Sequence, residues 1–296
     1  MLDVVIEGLG RKRVASLSVA DCDEFLRHLA TGAERFDGSR RRPFVRQHVS
    51  RTRSMLRRVL NNEIRLGLVA RNVADLAELP ETSAGSRPHR ILTGAELSAF
   101  LEASNGAFGV FADLMGRNAL RPQEARALEW ASVDWDGKTL EVGPQMNRQD
   151  VVVGPKTRRA PRTIHLDQST IDSLAHWRDD QAAMRKRAGE LWANHYDLII
   201  TTRVGTTIGS RNLARSVGRT AEKVGISPPV SGMRPPMVPY DLRHTAITLQ
   251  SKQGYSDWEL ADWAGTSERM INEVYRHRID RVVTVRPVVV DQVGAP

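Results

Sequence analysis

The 296-residue sequence predicts a mainly α protein with one small antiparallel β-sheet. Three observations carry that fold class. Apolar stripes at helical spacing stand behind recognisable start signals, β-branched runs cluster between residues 139 and 166, and a polar, proline-bounded break after residue 80 divides the chain.

Ser18-Val-Ala-Asp21 has the form of a capping box and opens a helix over 21–30, with Phe25, Leu26 and Leu29 on one face. Residues 43–66 read as a longer helix, in which Phe44, Val45, Val49, Met55, Leu56, Val59, Leu60 and Ile64 form a ragged apolar stripe among arginines. Residues 1–80 make the first domain, and 81–92, small and polar around Pro88, the linker. Thr93-Gly-Ala-Glu96 is a second capping box and starts the second domain, 93–280, at a helix containing Leu97, Phe100 and Leu101. Strands are expected at 139–142, 150–153 and 162–166, with Gly154-Pro155 as the turn region between the second and third. Helices are expected at 171–188, 210–224, 241–253, 257–264 and 268–276, followed by a tail at 281–296.

Composition narrows the function. Hydrophobic residues are 41% and charged residues 26%, which excludes collagen-like, low-complexity and wholly disordered chains. Neither a membrane-length apolar run nor a signal-peptide pattern is present, so the chain reads as cytoplasmic. A single cysteine, Cys22, allows neither an internal disulfide nor a thiolate zinc site, and no metal is expected. The net charge is +8, and only six of the 43 basic residues are lysines. Residues 1–90 hold 17 basic and 11 acidic side chains, so the first third is a basic module, for which nucleic acid is the default partner. Its arginines Arg51, Arg53, Arg57 and Arg58 form either a solvated helix face or a DNA-facing surface.

The sequence has no P-loop, HExxH or GxSxG pattern, which argues against ATP-driven, zinc-hydrolytic and serine-esterase chemistry. What remains is a dispersed set of phosphate-compatible residues: Arg121 at a helix start, Lys156 at a hairpin turn, Arg243 in a helix and Tyr275 near the C-terminal end.

These residues lie in runs that resemble a known family. Ala119-Leu-Arg121-Pro-Gln-Glu124-Ala-Arg-Ala-Leu128-Glu-Trp130 is similar to the first arginine box of the tyrosine recombinases, the phage integrase family. Tyr240-Asp-Leu-Arg243-His244-Thr resembles the His-x-x-Arg box, and Ala264-Gly265-Thr266-Ser267 with Val274-Tyr275-Arg-His277 resembles the glycine and nucleophile boxes. Gly254, Gly265 and Tyr275 fall 11, 22 and 32 residues after Arg243, as in typical members. Gly154-Pro-Lys156 through Arg162-Thr-Ile-His-Leu166 resembles the hairpin bearing the catalytic lysine, and residues 14–80 resemble the helical core-binding domain more loosely.

The resemblance implies a site-specific recombinase or integrase of a phage or mobile element, needing no cofactor. Arg121 and Arg243 would clamp the scissile phosphate, and Tyr275 would attack it to give a 3′-phosphotyrosine. Lys156 would protonate the leaving 5′-oxygen. Two positions depart from the family: Tyr240 stands where a histidine is usual, and Thr266 where His or Trp is usual. Each keeps a hydrogen-bonding group, so both remain candidate site residues, while His244 reads as a supporting histidine. Double-stranded DNA is the implied partner, gripped by the two domains as a C-shaped clamp. A homo-tetramer on paired sites and an accessory directionality factor go with it. Two alternatives stay open: a catalytically impaired relative that only binds DNA, and an enzyme of type IB topoisomerase kind. The few residues before position 21 carry the expectation that the first core-binding helix and a separate arm-binding domain are missing. The β-branched tail is expected to pack on its own domain or fray, or else to dock on a neighbouring subunit.

Overall fold

The computed structural model of the chain describes residues 2–32, 39, 42–82, 85, 88–154, 161–228, 230 and 236–274. Two units divide the chain, Met1–Arg87 and Pro88–Pro296. Lys156, Tyr275 and the tail 281–296 lie outside the described residues.

The first unit is helical. Helix α1 (Leu2–Leu9) precedes α2 (Val19–Thr31), so a short helix does stand before the first expected one. The capping box forms: Asp21 N–H donates to Ser18 Oγ at 3.2 Å, and Ser18 N–H donates to the Asp21 carboxylate at 2.9 Å. Helix α3 (Arg46–Arg65) turns its apolar stripe inward, burying Val49, Leu56 and Leu60 against Phe25, Leu26 and Leu29 of α2. The short α4 (Val73–Leu76) closes this core with Val73 and Ala74. Cys22 is buried within it, and burial pushes its thiol up to about 11.

The second unit is built around α6 (Gly106–Gly116), which packs against α5 (Gly94–Glu102), α7 (Pro122–Arg126), α8 (Gln168–Ala188), α9 (Ser210–Lys223) and α10 (Pro239–Ser251). Its Phe111, Ala112, Leu114 and Met115 are fully buried, and each large side chain so removed from water contributes about 1.5–3 kcal/mol. Helices α11 (Asp257–Ala264) and α12 (Glu268–Val274) pack on one another and, through α11, on α10.

The strands number five among the described residues: β1 (Val133–Asp134), β2 (Thr139–Val142), β3 (Gln145–Met146), β4 (Val152–Val153) and β5 (Arg162–His165). They form two antiparallel sheets, β1-β2-β5 and β3-β4, in place of the one expected. The strands flanking residues 154–161 do not pair with each other. Val142 lies opposite Arg162 and Leu140 opposite Ile164, whereas Val153 lies opposite Gln145. Register explains the choice, because pairing β5 with β2 places Leu140, Val142 and Ile164 together in the main core.

Candidate active site

Arg121 sits at the N-cap of α7, with Pro122 beginning the helix and Glu124 at the third position. The carboxylate of Glu124 turns back on the helix start, accepting from Arg121 N–H at 2.8 Å and from Arg121 Nη1 at 2.6 Å. It is only 4% exposed, and two further arginines reach it from distant segments. Arg162, at the start of β5, donates Nη1 to Oε1 at 3.3 Å and Nη2 to Oε2 at 3.1 Å. Arg243, on α10, brings Nη1 within 4.0 Å of Oε2. Burial alone would raise the Glu124 carboxyl. The charge and hydrogen bonds of Arg162, together with Arg121, outweigh it and hold the group below its ordinary value.

The same three arginines grip the end of α11. Arg162 Nε donates to the Trp263 carbonyl at 2.7 Å, Arg243 Nη2 to the Ala264 carbonyl at 2.6 Å, and Arg121 Nη2 to the Gly265 carbonyl. The last carbonyls of a helix lack intrahelical donors and carry its negative dipole end, so they accept cations well. Gly265 holds φ +63°, and a Cβ there would come within 2.6 Å of Arg162 Nη1, so both conformation and space require glycine. Strain lies instead at Ala119, which holds φ +52° without being glycine and whose carbonyl accepts from Arg243 Nη1.

The structure thus brings Arg121, Arg243 and the Gly265-Thr266 turn together. Thr266 is half-buried between α11 and α12, with its N–H donating to the Ala261 carbonyl at 2.8 Å. Tyr240 lies three residues before Arg243 on α10 and is 40% exposed. Between them, Asp241 is fully buried, accepts from Val238 N–H at 2.9 Å and meets His89 Nδ1 at 3.0 Å. His89 also lies against the His244 ring, with centroids 3.6 Å apart and the planes tilted by 34°. His89 carries no motif, and its contacts with Asp241 and His244 are what mark it.

The four candidate arginines of α3 separate into two pairs. Arg51 and Arg58 are exposed on α3. Arg53 donates to the carbonyls of Ala74 at 3.1 Å and Asp75 at 3.0 Å, and Arg57 pairs with the Asp75 carboxylate, so these two hold α4. In the second unit, Arg211, Arg215, Arg219 and Lys223 are exposed along α9, opposite the buried Leu213, Val217 and Ala221. Their four-residue spacing was a readable signal of a basic stripe. Arg162 and Glu124 are the other site residues that motif reasoning missed as a pair.

Residues 90–281 match the phage integrase family, and the chain belongs to that family. It is 29% identical to a Streptomyces ambofaciens protein named Integrase, over 97% of this chain and 71% of that one. Its fold is similar to that of the Tn1549 transposon integrase solved in complex with transposon right end DNA, with a TM-score of 0.70, 17% identity, and coverage of 93% of this chain and 85% of that one. It is also similar to lambda integrase in a tetramer bound to a Holliday junction, with a TM-score of 0.59, 16% identity, and coverage of 90% of this chain and 66% of that one.

Proposed function

We propose that Arg121 and Arg243 hold the non-bridging oxygens of a DNA phosphodiester while Tyr275 attacks its phosphorus. The chain is a DNA strand-breaking and rejoining enzyme, a site-specific recombinase of the tyrosine class, as mobile elements carry. The observation that carries the clamp is the meeting of Arg121 and Arg243, from α7 and α10, on one buried carboxylate and on adjacent carbonyls. Two guanidiniums fixed in this way present paired donors and stay charged at any working pH. Phosphoryl transfer needs little beyond such positioning and charge stabilisation.

In this reading the Tyr275 oxygen bonds to phosphorus, the bond to the 5′-oxygen breaks, and Lys156 gives that oxygen its proton. A 5′-hydroxyl from a partner strand then displaces the tyrosine. Thr266 adds one donor near the clamp and Tyr240 a phosphate contact. Double-stranded DNA is the partner, met by Arg51 and Arg58 of residues 1–80, on a helix face that Arg53 and Arg57 brace against α4, and by the α9 stripe of the catalytic domain, 93–280. Four copies act on paired sites, with an accessory directionality factor; the fold's likeness to an integrase seen as a tetramer supports the first part. No described helix is long and apolar enough to cross a membrane, and the proposed location is the cytoplasm.

The test is covalent trapping on the DNA flanking the chain's own gene, in excess EDTA. A protein–DNA adduct that survives denaturation is expected, because arginines supply the positive charge. A strict requirement for Mg²⁺ would overturn the mechanism.

A further inference from the structure

Arg162 lies in the run that resembles the lysine-bearing hairpin, yet the mechanism above gives it no part. Its side chain is 5% exposed, and all three guanidinium nitrogens are engaged inside the protein. We propose that Arg162 is a positioning residue for strand cleavage, acting through Glu124 on Arg121 and through the Trp263 carbonyl on the turn that carries Thr266 into α12. The inference rests on the recombinase reading above.

Glu124 Oε1 is shared. It accepts from Arg162 Nη1 at 3.3 Å and from Arg121 Nη1 at 2.6 Å, so the place of the carboxylate sets the place of the Arg121 guanidinium. Arg162 holds both carboxylate oxygens and thereby fixes its plane. Of the two arginines on this oxygen, Arg121 is 29% exposed and Arg162 only 5%, so Arg121 can meet a phosphate and Arg162 supports it from behind. Removing Arg162 would leave a buried carboxylate with fewer cations, which would then draw Arg121 inward or take up a proton.

The second link runs to α11. Arg162 Nε takes the Trp263 carbonyl, and its guanidinium packs so closely on Gly265 that a Cβ there would fall 2.6 Å from Nη1. The arginine therefore spaces the Gly265-Thr266 turn from Glu124. Both links start from β5, which follows directly after the run containing Lys156. Lysine cannot replace it, because one ammonium cannot bridge two carboxylate oxygens and a carbonyl in a fixed fork.

The experiment compares wild type, Arg162→Lys and Arg162→Met as full chains on the duplex mapped by covalent trapping. One duplex carries the normal scissile phosphate and the other a methylphosphonate there. Replacing a charged oxygen with methyl reduces the charge that Arg121 must stabilise, so a misplaced clamp matters less. On phosphate DNA, Arg162→Lys is expected to slow single-turnover adduct formation on the order of 10²-fold with duplex affinity little changed, the cost typical of an ångström-scale misplacement. On the methylphosphonate, the ratio of variant to wild-type rate should return to within about threefold, since the lost stabilisation is electrostatic. An equal loss on both duplexes, or no loss on either, would overturn the proposal. Should Arg162→Met not fold, Arg162→Lys keeps the charge and decides alone. Absence of any wild-type adduct would instead overturn the recombinase reading, and the proposal with it.

Discussion

Glu124 is a carboxylate that the fold keeps ionised against its own burial. Its folded-state value lies below the ordinary 4.5, so its favourable contribution is complete above that value and drains away as pH falls through the lower one. Denaturant unfolding should show the second unit losing stability on the acid side of the usual carboxylate range. Glu124→Gln should flatten that loss while costing about 3–5 kcal/mol near neutrality, because Arg162 and Arg121 lose their buried counter-charge. An unaltered acid limb would show that another carboxylate controls it. The two tyrosines in the boxes make a second case at this scale. Only Tyr275 stands at the nucleophile's interval from Gly265, whereas Tyr240 sits one turn before Arg243. Tyr275→Phe should abolish covalent trapping with DNA affinity nearly unchanged, and Tyr240→Phe should only slow it. The reverse outcome would reassign the nucleophile, and full activity in both would remove the phosphotyrosine route. Box residues were legible one by one because each follows a local pattern. The bond between Glu124 and Arg162 was not, since it joins positions 38 residues apart through folding alone.

Among the elements, those with local start signals were legible. The boxes at Ser18 and Thr93 each open the helix they announce. The helix expected at 257–264 forms with the same bounds and ends at Gly265. Helix α6 was not legible, because apolar residues surround it on every side and leave no stripe to find. Strand β3 escaped notice because two residues show no alternation, and the pairing of the expected strand at 150–153 with it depends on where Leu140 and Ile164 must be buried. Helix α3 shows how one charged run can serve two purposes. Arg53 and Arg57 hold α4 through Ala74 and Asp75, while Arg51 and Arg58 face outward. Replacing Arg51 and Arg58 together with Gln should weaken binding to all duplexes and flatten its salt dependence, by roughly 0.9 in log–log slope per lost phosphate contact. Replacing Arg53 and Arg57 should lower the melting temperature of the first unit as well. Titrations at several salt concentrations check both, and an unchanged slope for the first pair would make them a solvated face.

At the scale of the whole molecule, the proposed phosphate clamp and its supports meet only when α7, β5, α10 and the end of α11 are packed together. A site assembled in this way is sensitive to anything that shifts α11 and α12, and the chain continues beyond α12 into a run poor in helix formers. That run, Arg281-Val-Val-Thr-Val-Arg-Pro-Val-Val-Val-Asp291, is rich in β-branched residues and interrupted by Pro287. Burying its apolar side chains would be favourable, on their own catalytic unit or on a neighbouring copy, and the remaining alternative is a frayed end. The second arrangement would link Tyr275 of one protomer to the assembly of the next, so that cleavage waits for a complete complex. Deleting residues 282–296 should then leave binding to a single site intact while impairing paired-site complexes and recombination. Native gel shifts with one site and with two separate the cases. Normal pairing by the shortened chain would remove the role between subunits, and a shortened chain that is insoluble would place the segment on its own domain.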